Sequence, residues 1–215
     1  MLTLLITRPL YEHTTHYLAH WSKKIIDFAK AKGHQVIDVK EKRVNRKTFE
    51  SMLRKMNPAL VLLNGHGEAE MVYGQNNEPI LIAGENEDLL ADRTVYALSC
   101  KSTQIVGRKS IENGAKTYIG YKEDYVFYWH SQYAAKPLDD PRARLFLEPS
   151  NLISLSLLKG HTAQEACEKS KEAILRNIQY LTATNSPDQF MIPDLLWNME
   201  NLECLGEQNS RVTSY

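Results

Sequence analysis

Short continuous apolar runs alternate along the chain with stretches of helical periodicity. Residues 2–6 (LTLLI) form such a run, closed by Arg8-Pro9. Leu18, Trp21, Ile25, Phe28 and Ala29 then recur at helical spacing, which predicts one helix over 14–32 with Gly33 as its stop. A short strand is predicted at 35–39. Asn45 can cap a helix whose apolar face is Phe49, Met52, Leu53 and Met56, ended by Asn57-Pro58. The run 60–63 is apolar at every position, the pattern of a strand covered on both faces. Further strands are predicted at 94–98, 117–120 and 201–205, and a helix at 103–113. Another helix opens on the Thr162/Glu165 capping box and carries Ala166, Cys167, Ser170, Ala173, Ile174, Ile178 and Leu181 inward.

Strands separated by helices imply parallel pairing. The expected fold is α/β, a three-layer αβα sandwich around a mostly parallel sheet of about six strands, in one domain over 1–215. Two segments break the rhythm. Residues 72–92 hold Gly74, Asn76, Asn77, Pro79 and Gly84 around a short apolar run and are predicted to be a hairpin excursion. Residues 121–149 are expected to be a long variable loop, first aromatic and then charged, with Asp139, Asp140, Arg142 and Arg144 solvated.

Composition narrows the function. The 215 residues are 43% hydrophobic and 24% charged, and 26 basic side chains balance 26 acidic ones. No basic excess calls for nucleic acid, and no run approaches the roughly 20 apolar residues that span a bilayer. Neither nucleic acid nor membrane is expected as a partner, and the expected location is cytoplasmic. Cys100, Cys167 and Cys204 contain no CxxC pair, so a disulfide framework is not expected. No metal or cofactor is expected. His13, His16 and His20 share one helix face, but no carboxylate or thiol stands beside them to complete a metal site.

In an open parallel sheet, ligands bind beyond the carboxyl ends of the strands. After the run 60–63 come Asn64-Gly65-His66-Gly67; after 94–98 come Ser99-Cys100-Lys101-Ser102. If the two strands are neighbours, an imidazole and a thiol emerge at one edge. A thiolate attacks a carbonyl far better than a thiol, and an imidazole can take its proton. The Gly67 and Cys100 amides can face a developing oxyanion, and the helix expected after Cys100 would favour an anion at its start. Cys167 and Cys204 are expected to be core residues, and Tyr125, Phe127, Tyr128 and Trp129 core-filling aromatics.

These pieces, LVLLNGHGE and VYALSCKS, resemble the caspase-like cysteine peptidases, a group that includes caspases, metacaspases, legumain, separase, gingipains and bacterial CHAT-type peptidases. LLKGHTAQEACEKSKEAIL and NLECLGEQ are similar to corresponding pieces of the gingipain and CHAT branch. The resemblance implies a cysteine endopeptidase working through a Cys-His dyad and a covalent acyl-enzyme, with Cys100 as nucleophile, His66 as general base and acid, and the Gly67 and Cys100 amides as oxyanion hole. The caspase signature Gln-Ala-Cys-Arg-Gly is replaced by Leu-Ser-Cys-Lys-Ser, and Ser99 stands where metacaspases place an acidic residue.

The resemblance also implies a protein or peptide substrate, an activating protein partner or regulatory domain, and a homodimer as one candidate assembly. For specificity, Arg8 lies near where caspases hold an arginine for an acidic substrate residue. Glu123 and Asp124 are candidates to pair with a substrate Arg or Lys, and Arg8 is a candidate to pair with Asp124. The two acidic residues tilt the expectation toward a basic residue before the scissile bond. A self-processing role for the segment around Asp139–Arg144 is a competing idea to a solvated loop. Two other functions compete: a catalytically silent binding or scaffold module on the same fold, and a small-ligand-binding protein of the flavodoxin kind. Against the latter, no GxGxxG or Walker-type loop is present.

Overall fold

A computed structural model describes residues 1–213. In chain order the elements are β1 (Thr3–Arg8), α1 (His13–Trp21), α2 (Lys23–Ala31), β2 (Gln35–Lys40), α3 (Arg46–Met56), β3 (Leu60–Asn64), β4 (Met71–Tyr73), β5 (Pro79–Ile82), β6 (Thr94–Leu98), α4 (Val106–Glu112), β7 (Thr117–Tyr121), α5 (Pro141–Leu158), α6 (Ala163–Ala183), α7 (Ile192–Asn201) and β8 (Leu202–Gly206). The main sheet has six strands in the order β2-β1-β3-β6-β7-β8. Every pair is parallel except β7 with β8. The strands β4 and β5 form a separate antiparallel hairpin.

Alternate strand residues feed opposite cores, as the period of two requires. Leu4, Ile6, Leu60 and Leu62 join Leu18, Trp21, Ile25 and Leu157 under α1, α2, α5 and α6. Leu5, Val61 and Leu63 join Phe49, Leu53 and Val106 on the other face, under α3, α4 and the hairpin. Both faces of the sheet are therefore covered, which is why β3 and β6 are apolar and buried at nearly every position.

Three expectations are corrected. The helix expected over 14–32 is two helices that meet at Ser22, whose hydroxyl donates to the Ala19 carbonyl. The helix expected over 103–113 starts only at Val106, so the chain around Cys100 is a run of turns and no helix start lies against the sulfur. The expected loop 121–149 gives way to α5 from Pro141 onward. Asp140 caps this helix, accepting from the amides of Arg142 and Ala143, and Pro141 fits its first turn. Pro149 inside it leaves the Leu145 carbonyl without its helical donor; the Asn177 side-chain amide of α6 fills that place at 2.7 Å. Of the charged run expected to be solvated, Asp139 and Arg144 are exposed, but Asp140 and Arg142 are held by the fold. Asp140 is buried and also accepts from the Tyr17 hydroxyl, while Arg142 pairs with Asp188 at 2.8 Å.

Candidate active site

The register of β3 on β6 pairs Asn64 with Leu98, so the segments carrying His66 and Cys100 leave the sheet at the same edge. The Asn64 side-chain amide donates to the Thr7 carbonyl at 2.8 Å and ties this edge to the end of β1. Gly67 then lies flat against the nucleophile segment. A Cβ on Gly67 would stand 2.7 Å from the Cys100 carbonyl oxygen and 2.9 Å from Ser99 Cβ, so only glycine permits this approach.

Gly67 also opposes Val72 in an isolated antiparallel bridge. The bridge's hydrogen bonds belong to its neighbours: Tyr73 N–H donates to the His66 carbonyl at 3.0 Å, and Glu68 N–H to Met71 at 2.9 Å. The Gly67 N–H is thereby turned away from the hairpin. Among the described residues, neither the Gly67 nor the Cys100 amide finds an acceptor. Two free amides beside a thiol are the donors an oxyanion hole requires.

His66 has a partner that the sequence reading missed. Its Nε2 lies 3.4 Å from Glu12 Oε1. Glu12 is the N-cap of α1, with its carboxylate fixed by the amides of Thr14 (2.7 Å) and Thr15 (2.5 Å) in a capping box. Burial pushes this carboxyl up, but the two amides, the Thr15 hydroxyl and the nearby imidazole together hold it below the usual carboxylate range. With Nε2 turned to Glu12, Nδ1 is the nitrogen left for proton traffic. The Tyr11 ring meets the imidazole edge-on, with centroids 6.3 Å apart. The one sequence signal for Glu12 was its place three residues before Thr15 at a helix start, a reversed capping box.

Cys100 is only partly exposed. Burial pushes its thiol pKa up and the Asp124 carboxylate adds to the rise, while the Tyr125 backbone N–H and the Lys101 ammonium pull the other way. Lys101 takes a left-handed conformation with φ of 55°, its N–H donating to the Glu123 carbonyl and its Nζ to Asp124 at 3.0 Å. The balance of these surroundings favours the thiol over the thiolate.

Two cavities meet at this pair, and both are lined by His66 and Cys100. One, of about 280 Å³, has Thr14 and Leu18 of α1 on one side and Tyr125, Val126 and Phe127 on the other, with Leu98 and Ser99 in its wall. The second is a wider groove of about 560 Å³ lined by Gly67, Glu68, Tyr73, Asn77 and Asp124. The Asn198 side chain grips Val126 by both backbone groups, at 3.0 and 2.6 Å, and so fixes the wall between cavity and solvent.

Of the predicted specificity residues, only Asp124 lines either cavity, and it is already paired with Lys101. Arg8 is buried, held by two bonds to Asp38 and one to the Ala19 carbonyl; it does not pair with Asp124 and does not face the site. Glu123 contributes its carbonyl to the turn at Lys101. Cys167 is a core residue, while Cys204 is half-buried beside it; a hydrogen bond from the Cys167 thiol holds the Cys204 thiol below its ordinary value. His13 stacks on Trp129, His16 Nε2 approaches the Ala134 carbonyl, and no metal-ligand cluster occurs among the described residues.

Comparison with known proteins fits this geometry to a class at the level of fold. No family model matches the chain, and no curated protein matches its sequence. Solved structures do match. The crystal structure of the Arg specific cysteine proteinase gingipain R (RgpB) superposes with a TM-score of 0.66 at 11% identity, covering 98% of this chain and 47% of that one. A complex of the pro- and mature domains of Porphyromonas gingivalis RgpB gives 0.61 at 9% identity, covering 98% and 48%. The chain thus has a caspase-like fold and spans about half the length of these neighbours.

Proposed function

We propose that the chain is a cysteine endopeptidase. The observation that carries the reading is the placement of His66 and Cys100 on shared cavity walls at the end of two adjacent parallel strands, with two unpartnered amides beside the sulfur. The His66 ring takes the thiol proton as Cys100 Sγ attacks the peptide carbonyl carbon. The oxygen, now negative, rests on the Gly67 and Cys100 amides. His66 then gives the proton to the departing amine, leaving a thioester on Cys100. Water, deprotonated by His66, attacks the thioester, and the carboxylic acid leaves as the thiol is restored. Glu12 holds the ring and supports the imidazolium that forms in each half.

The test is labelling and cleavage. A peptidyl electrophile is expected to modify Cys100, and Cys100→Ala and His66→Ala are each expected to abolish peptide hydrolysis with the melting temperature preserved. Cys204→Ser serves as background, because Cys204 is the other partly exposed thiol and has a lowered pKa. Full hydrolysis by a folded Cys100→Ala protein would refute the reading. Absence of labelling and of hydrolysis in the parent chain would favour a silent binding module.

A further inference from the structure

The cavity beside Cys100 specifies what the site accepts, and this step rests on the peptidase reading. When the carbonyl carbon reaches Sγ and its oxygen turns to the Gly67 and Cys100 amides, the side chain of that same residue lies a bond or two from the sulfur. The cavity of about 280 Å³ has Cys100 in its wall together with Leu98 and Ser99 and does not include Gly67, which lines the wider groove. It has room for a single side chain. Its wall carries no Asp, Glu, Lys or Arg. Leu98, two residues before the nucleophile and 5% exposed, lies in that wall, with Leu18, Val126 and Phe127 around it.

We propose that this pocket selects an uncharged apolar side chain of the size of Leu or Met at the residue whose carbonyl is attacked. The nearby charges do not contradict this. Arg8 is consumed by Asp38. Asp124 lines the other cavity and is paired with Lys101. A guanidinium or carboxylate pushed into the Leu98 pocket would lose hydration and find only Thr14, Ser99, Tyr125 and the His66 ring as polar neighbours, with no Asp, Glu, Lys or Arg to pair it. The arginine specificity of the gingipain neighbour therefore does not carry over to this chain.

The test is a panel of fluorogenic peptides identical except for Leu, Met, Arg, Lys or Asp before the scissile bond. Leu and Met are expected to exceed Arg, Lys and Asp in kcat/KM by roughly 10- to 100-fold, the range that full burial of one such side chain allows. A second arm uses Thr14→Asp. Thr14 stands in the first turn of α1, where an added carboxylate suits the helix dipole, and it lines the pocket. This variant is expected to raise the Arg-to-Leu ratio at least tenfold. Hydrolysis that favours Arg, Lys or Asp in the parent chain overturns this inference alone, as does an unchanged ratio in a folded Thr14→Asp variant. Absence of hydrolysis across the whole panel, with no labelling of Cys100, overturns the peptidase reading and this inference with it.

Discussion

Gly67→Ala isolates the contact on which the proposed chemistry depends. A Cβ there would meet the Cys100 carbonyl oxygen at 2.7 Å, where ordinary contact begins at 3.4 Å, a shortfall of about 0.7 Å. The obstacle is backbone, together with Ser99 Cβ, so no flexible side chain can swing aside. The His66 segment must therefore lift off the Cys100 segment by a comparable amount. Overpacking of this kind costs roughly 1–3 kcal/mol of stability. The catalytic loss is expected to be larger. A displacement of this order at reacting groups is worth about 100-fold, or about 2.7 kcal/mol, and the Gly67 amide moves with the segment. The assay is the acylation rate of Cys100 by a peptidyl electrophile in a single turnover, alongside thermal unfolding. Gly84→Ala is the control. Gly84 has a φ of +82°, so alanine is strained there, but nothing lies within 4 Å of its Cβ and it borders neither cavity. It is expected to lose stability and keep the acylation rate. A folded Gly67→Ala protein that acylates as fast as its parent would refute the argument.

Glu12→Gln is expected to lower kcat roughly tenfold with little change in KM, because the carboxylate acts through His66 and touches no substrate. It also weakens the α1 cap, by about 1 kcal/mol at neutral pH. The folded-state pKa of Glu12 is depressed, so the cap's extra stability is present above the unfolded carboxyl value of about 4.3 and is lost as pH falls through the folded value. The gap between the melting curves of parent and variant should narrow as pH falls from about 4.3 through the lower folded value; a gap that widens in acid would contradict the assignment. Arg8→Ala is expected to cost about 1–3 kcal/mol in urea unfolding, since it leaves the buried Ala19 carbonyl without its donor and Asp38 without its partner. It should leave the order of substrate preference unchanged, and a specific loss of acidic substrates would restore Arg8 to the site.

The strands were legible because burial on both faces leaves continuous apolar runs such as 60–63, which no surface segment tolerates. The positions of His66 and Cys100 followed from the same fact, since each stands just beyond the end of such a run. What escaped the sequence depends on partners distant in the chain. Pro149 reads as a helix breaker until Asn177, 28 positions later, meets the carbonyl that it orphans. Arg8 reads as a specificity candidate at the end of a strand until the pairing of β1 with β2 brings Asp38 beside it. Asp140 reads as a loop acid, but Tyr17 and the start of α5 enclose it. Glu12 is not singled out by the sequence; it caps α1, and its second contact, with His66, exists only because α1 starts beside the edge where β3 ends. The reversed direction of β8 follows from its immediate start after α7, which delivers the chain to the far end of β7.

A thiol held above its ordinary pKa beside a carboxylate is a poor nucleophile at rest, and the proposed mechanism accounts for this. Proton transfer from Cys100 to His66 creates two charges at once, and the surroundings treat them differently. At the sulfur, burial and Asp124 oppose the anion while the Tyr125 N–H and Lys101 support it. At the imidazole, Glu12 is already ionised, because helix amides hold its pKa low. The ion pair is thus stabilised from the imidazolium end. Filling the Leu98 pocket removes water from between these groups and strengthens every one of these interactions. In the proposed mechanism a side chain that fits the pocket holds the carbonyl at the sulfur, so that the thiolate is consumed as it forms. Selectivity and reactivity then share one origin: a substrate that leaves the pocket wet is both weakly held and slowly attacked.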